Sequence, residues 1–125
     1  MATDPSDAPA GTDAATGSYE QRYAATEPAR DALDAVEGNV LLEFGAPWCG
    51  HCQAAQPHIQ ALLARRLDVR HVKIEDGRGR PLGRSLRVKL WPTLVLMRSG
   101  QELARVVRPS SPADLEPLRD ALART

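Results

Sequence analysis

The feature that most constrains this chain is the run Trp48-Cys49-Gly50-His51-Cys52, which sets its only two cysteines with two residues between them. It follows Val40-Leu41-Leu42-Glu43-Phe44, a short run of strand composition, and precedes residues 53–63, which have helix composition. Cys49 therefore falls at a helix N-terminus directly after a buried strand. Unpaired N–H groups and the positive end of the helix macrodipole favour an anion there, and the imidazole of His51, protonated or donating an N–H, adds to this. Cys49 reads as an attacking thiolate. Cys52 lies one turn further along the same helix face, near enough to close a disulfide, and reads as the more buried and less ionised resolving sulfur.

Two structural uses of the cysteines are weaker. A zinc site calls for four Cys or His ligands, and His51, His58 and His71 form no second ligand pair at the usual spacing, so no metal is expected. A disulfide kept only for stability is equally poor, because so small a loop constrains the unfolded chain very little.

At 125 residues the chain is long enough for one domain and too short for two. Its formal charge is zero, which gives no global signal for nucleic acid. Residues 1–18 hold Asp4, Asp7 and Asp13, no Lys or Arg, and no large apolar residue after Met1. Such a segment buries too little to offset the entropy of ordering and is expected to be a disordered tail, with residues 19–125 as the domain. Residues 65–89 carry nine basic residues against Asp68, Glu75 and Asp76, a solvated face or a patch that selects acidic clients. No segment has the length of a membrane span, and the start lacks the basic and apolar regions of a secretory signal. No membrane association is expected. A cytoplasmic location is expected, with the periplasm as the alternative if a signal peptide has been removed.

Along the domain, residues 19–26 are ambiguous. Thr26 is a plausible N-cap for a helix that has Glu27 and Pro28 in its first turn and ends near Gly38. Residues 39–44 read as a central strand buried on both faces, and 67–74 as its parallel neighbour, reached by a right-handed crossover. Residues 77–80 form a turn and 81–86 a short helix. A hairpin pairs 93–97 with 103–107 around Ser99-Gly100. Ser111, Pro112 and Asp114 start a last helix with Leu115, Leu118 and Leu122 on one face, which Pro117 delays or bends. His58 and His71 read as ordinary surface or sheet residues. The order gives an α/β fold: a mixed sheet of about four strands with helices on both faces.

Several separated motifs carry a resemblance. Besides Cys49-Gly50-His51-Cys52, they are Glu43 within the strand, Pro57 within the following helix, Lys73 on the next strand and Trp91-Pro92-Thr93. In this order and spacing they resemble the thioredoxin family over residues 19–123. The resemblance implies the thioredoxin fold, with Glu43 as a buried acid and Lys73 as the lysine that pairs with it. Glu43 would take the proton of Cys52, and its extra methylene over the family's usual aspartate alters its reach. The resemblance also implies a cis Pro92 beside the cysteines, and a client segment that pairs with the backbone at Trp91. Trp48, Gly50, Trp91, Pro92 and Thr93 would form the client-binding rim. Trp91 is bulkier than the usual residue, and Arg108 stands near where the family often has glycine. His51 resembles disulfide isomerase domains rather than most thioredoxins. Those two types differ by about 90 mV in reduction potential, on the order of 4 kcal/mol, and a stabilised Cys49 thiolate moves a protein toward the oxidising end.

The expected function is thiol-disulfide exchange between Cys49-Cys52 and protein clients, as a general reductant in redox homeostasis. No cofactor is expected, a reductase would serve as electron donor, and the protein would be a monomer. The alternatives are a disulfide oxidase or isomerase in an oxidising compartment, favoured by His51, and a non-catalytic interaction module. No phosphate-binding Gly-rich loop, paired catalytic carboxylates or Ser-His-Asp arrangement calls for other chemistry.

Overall fold

The apolar run of β1 (Asn39–Gly45) is buried along its whole length, as a strand covered on both faces must be. In the computed structural model, which describes residues 17–124, β1 lies between β2 and β3 in a four-stranded sheet of order β2-β1-β3-β4. β2 (Val69–Glu75) runs parallel to β1, whereas β3 (Thr93–Arg98) is antiparallel to β1 and to β4 (Gln101–Val107). The β3–β4 connection is two residues long, with φ of 50° at Ser99 and 79° at Gly100. Positive φ at both central residues is what a tight type I′ hairpin needs.

Side chains alternate across the sheet with period two. Val40, Leu42 and Phe44 join Val95 and Met97 on one face, where Leu33 of α1 (Arg30–Asp34) and Leu82 of α3 (Pro81–Ser85) cover them. Leu41, Leu94 and Leu96 point to the other face and pack on Ala55, Ile59 and Leu63 of α2 (Gly50–Leu63) and on Leu118 and Leu122 of α4 (Glu116–Ala123). The α2 crossover links the parallel pair. Among the described residues no helix is long and apolar enough to cross a membrane.

Two local expectations need correction. The first helix is Arg30–Asp34 with Ala29 at its N-cap, not a helix capped by Thr26, because Glu27 turns away to accept the Leu82 N–H at 3.2 Å. Residues 19–26, ambiguous in the sequence, form a single bridge to the sheet, Tyr23 to Lys73. Gly17 and Ser18, read as the end of the tail, form a turn in which Gly17 is buried, with φ of 64° and a missing Cβ that would lie 2.7 Å from Arg66 N. The rest of the proposed tail lies outside the described residues. Pro117 is accommodated in the first turn of α4, preceded by a 3-10 turn at Pro112–Leu115, so it delays the α-helix.

Phe44 is fully buried on the central strand. Phe44→Ala should lower the free energy of unfolding by about 3–5 kcal/mol in urea titrations, with an unchanged m-value.

Candidate active site

β1 ends at Gly45, and Ala46-Pro47-Trp48 carries the chain to the start of α2, where Cys49 is the N-cap in extended conformation. Cys49 Sγ accepts the Cys52 N–H at 3.2 Å, a hydrogen bond that meets one of the orphan donors of the first helical turn. Both sulfurs are free thiols, Cys49 8 % exposed and Cys52 1 %. Burial, and then the hydrogen bond of its side chain to Cys49, push the Cys52 thiol up to about 12, against the smaller opposing effect of a backbone hydrogen bond with Ala46. The pair is thus asymmetric: one sulfur at the rim, the other beneath it with a firmly held proton.

Gly50 and His51 occupy the exposed start of α2. Trp48 is 70 % exposed beside the cysteines and packs edge-on against Trp91, with ring centroids 5.5 Å apart. The Trp91-Pro92 peptide is cis, as expected. Trp91 packs against Ala46, Cys49 and Cys52 and donates its indole N–H to Asp76 Oδ2 at 2.9 Å. Pro92 and Thr93 are buried, and Thr93 Oγ1 donates to Leu90 O at 2.6 Å. Arg108, with φ of 51°, anchors the same loop twice: its backbone N–H reaches Pro92 O at 2.9 Å and its Nε donates to Trp91 O at 2.8 Å.

Beneath the cysteines lies a polar layer inside the α2 side of the core. Glu43 is fully buried. Its Oε1 meets His71 Nε2 at 2.9 Å, and its Oε2 accepts from Gln56 Nε2 at 2.7 Å. His71 Nδ1 accepts the Glu20 N–H at 2.8 Å, so the ring hydrogen resides on Nε2 and His71 donates to Glu43. Gln56 makes every hydrogen bond its amide allows, donating also to Cys52 O at 2.7 Å and accepting from Tyr19 Oη at 2.7 Å and Lys73 Nζ at 2.9 Å.

The expected direct pairing of Lys73 with Glu43 is therefore corrected. Lys73 is the register partner of Glu43 on β2, but its ammonium reaches the carboxylate by way of Gln56, donates to Gln21 O at 3.3 Å, and stacks 4.7 Å from the Tyr23 ring centre. The direct partner is His71, two residues earlier on the same strand face. Reading His71 as an ordinary sheet residue missed this, although Val69, His71 and Lys73 alternate inward with period two. Gln56, four residues after Cys52 on α2, was missed as well.

A cavity of about 450 Å³ opens beside this layer, lined among others by Tyr23, Ala46, Cys52, Gln56 and Lys73. Two neighbouring sulfurs, one the more accessible at 8 % exposure and one with a strongly held proton above a buried carboxylate, suit two-step thiol-disulfide exchange.

The thioredoxin family model matches residues 24–121. The solved structure of reduced thioredoxin 2 from Pseudomonas aeruginosa PAO1 is 51 % identical, with a TM-score of 0.74 over 86 % of this chain and 100 % of that one. Thioredoxin H2-1 of Oryza sativa subsp. japonica is 35 % identical over 68 residues, 54 % of this chain and 49 % of that protein, so the chain spans about half the length of that relative. Protein disulfide isomerase-like 1-4 of Arabidopsis thaliana is 37 % identical over 76 residues, 58 % of this chain and 13 % of that protein.

Two outcomes follow from the geometry. Because only a thiolate alkylates readily and the Cys52 thiol is raised, iodoacetamide should modify Cys49 selectively near neutral pH. Modification of Cys52 should rise only as pH climbs toward about 12; peptide mass mapping across pH checks this, and equal labelling at pH 7 would contradict it. His71→Phe removes a donor from a buried carboxylate and should lower stability by about 1.5–3 kcal/mol in chemical denaturation. Adding Glu43→Leu should restore much of the loss, since an apolar pair leaves less unsatisfied.

Proposed function

The chain belongs to the thioredoxin family, and on that premise we propose that it is a protein thiol-disulfide oxidoreductase that works as a general reductant. The observation that carries this is the asymmetry of the sulfurs: Cys49 at the rim on the N-cap of α2, Cys52 below it with its thiol held protonated. Cys49 thiolate attacks one sulfur of a client disulfide, forming the mixed disulfide and releasing the first client thiolate. Cys52 then gives up its proton, to Glu43 as base, and attacks Cys49 Sγ. The Cys49–Cys52 bond forms, the mixed disulfide breaks and the second client thiolate leaves. The client gains two electrons, and a reductase returns them to the protein.

Lys73, through Gln56, moderates the charge that Glu43 places under Cys52. Trp48, Gly50, Trp91, Pro92 and Thr93 form the docking rim, where an extended client segment lies along the backbone at Trp91. Arg108 narrows this rim, since its guanidinium already holds the Trp91 carbonyl.

One observation favours a second reading. His51 stands exposed in the first turn of α2, where a cation or donated N–H stabilises the Cys49 thiolate and with it the reduced pair, which makes a better oxidant. Disulfide oxidation or isomerisation would then be the role. Two measurements decide. With dithiothreitol the protein should reduce insulin disulfides, and Cys49→Ser should abolish this. Equilibration in glutathione buffers should give a reduction potential near the thioredoxin value of about −270 mV, with His51→Pro lower still by on the order of 30 mV. A wild-type value of about −180 mV would overturn the reductant role in favour of the oxidising one.

A further inference from the structure

Gly45, the last residue of β1, leaves an opening over the resolving sulfur. A Cβ at this position would lie 2.5 Å from Cys52 Sγ and 3.3 Å from Tyr23 Oη, so the bare Cα is what allows these two groups to face each other. Tyr23 arrives there from the segment before α1, and it is held firmly. Its backbone bridges to Lys73 on β2, Ala24 N–H donates to Lys73 O at 2.8 Å, and the Lys73 ammonium lies 4.7 Å from its ring centre. Tyr23 and Cys52 also share a wall of the cavity under the site. None of the steps derived above uses the phenol.

We propose that Tyr23 is a catalytic residue of the resolving step, its phenolic O–H donating a hydrogen bond to Cys52 Sγ as that sulfur becomes a thiolate. The inference rests on the oxidoreductase reading. Before resolution Cys49 is tied up in the mixed disulfide, so the negative charge that develops on Cys52 has lost its neighbouring sulfur as a polar partner. The phenol supplies one in a water-poor site, where a preoriented donor is worth most. Tyr23 keeps its own proton throughout; the Cys52 proton goes to Glu43, the Cys49–Cys52 bond forms and the client sulfur leaves as a thiolate. The groups facing the pair are Cys49, Glu43 and Lys73. Burial first, then the negative charge of Glu43 and Cys52, raise the Tyr23 phenol far above its ordinary range, which keeps it a donor while Cys52 titrates.

The reaction of the full reduced chain with 5,5′-dithiobis(2-nitrobenzoate) separates the steps: attack by Cys49 releases the first thionitrobenzoate and resolution by Cys52 the second. In Tyr23→Phe, which keeps the ring under Lys73, the first phase should be unchanged and the second about tenfold slower, equal to ~1.4 kcal/mol at the transition state. The pH profile of that second phase should also move upward. Tyr23→Leu, which removes the ring as well, should slow the second phase at least as much. A second phase as fast in Tyr23→Phe as in the wild type overturns the inference, and so does equal slowing of both phases, which would mark loosened structure. A wild-type protein that releases only one equivalent would instead overturn the oxidoreductase reading on which the inference rests.

Discussion

A fully buried carboxylate on the central strand is the constraint around which the rest of this molecule is arranged. Glu43 sits in the layer between the sheet and α2, where an ionised group without partners would be severely destabilising. Each of its oxygens has a donor, one from β2 and one from α2. The donors are themselves fixed, His71 by the Glu20 backbone and Gln56 by Tyr19, Lys73 and Cys52. A single acid thereby ties together β1, β2, α2 and the segment that precedes α1. The same network ends at the carbonyl of Cys52, so the polar layer and the sulfur pair form one connected unit.

Above that layer, geometry separates the two thiols in a way their chemistry alone would not. The N-cap position leaves Cys49 the more accessible of the two while its sulfur accepts the Cys52 N–H, and one helical turn places Cys52 deeper. Trp91 packs against the cysteines and Trp48 packs on Trp91, while Arg108 and Asp76 hold the loop that carries Trp91 and Pro92.

Much of this was legible in the sequence. The nearly continuous apolar run of β1, interrupted by Glu43, the cysteines after it and the hairpin at Ser99-Gly100 follow from local pattern, because local sterics and burial decide them, and the cis proline follows from the family resemblance. The first helix did not follow, since Glu27 is committed to α3 across 55 positions and leaves Thr26 no helix to cap. Nor did the partners of Glu43. Register alone puts Lys73 opposite it, yet a long ammonium side chain extends past the acid, while His71 on the same face reaches it directly. Strand periodicity would have shown His71 pointing inward. The approach of Tyr23 to Cys52 could not be read, because it depends on an absent side chain 22 positions later.

The clasp of Arg108 on the Trp91 carbonyl bears on what such a rim can discriminate. An extended peptide laid along Trp91 would meet a carbonyl that already accepts from the Arg108 guanidinium, so it would have to share that oxygen or displace the arginine, with a smaller net gain than at a free carbonyl. Main-chain pairing, common to all peptides, would thereby contribute less at this point. Under the proposed client docking, selectivity would pass to the side chains that can cover the exposed Trp48 ring and its T-shaped contact with Trp91, so that composition would count for more than backbone shape.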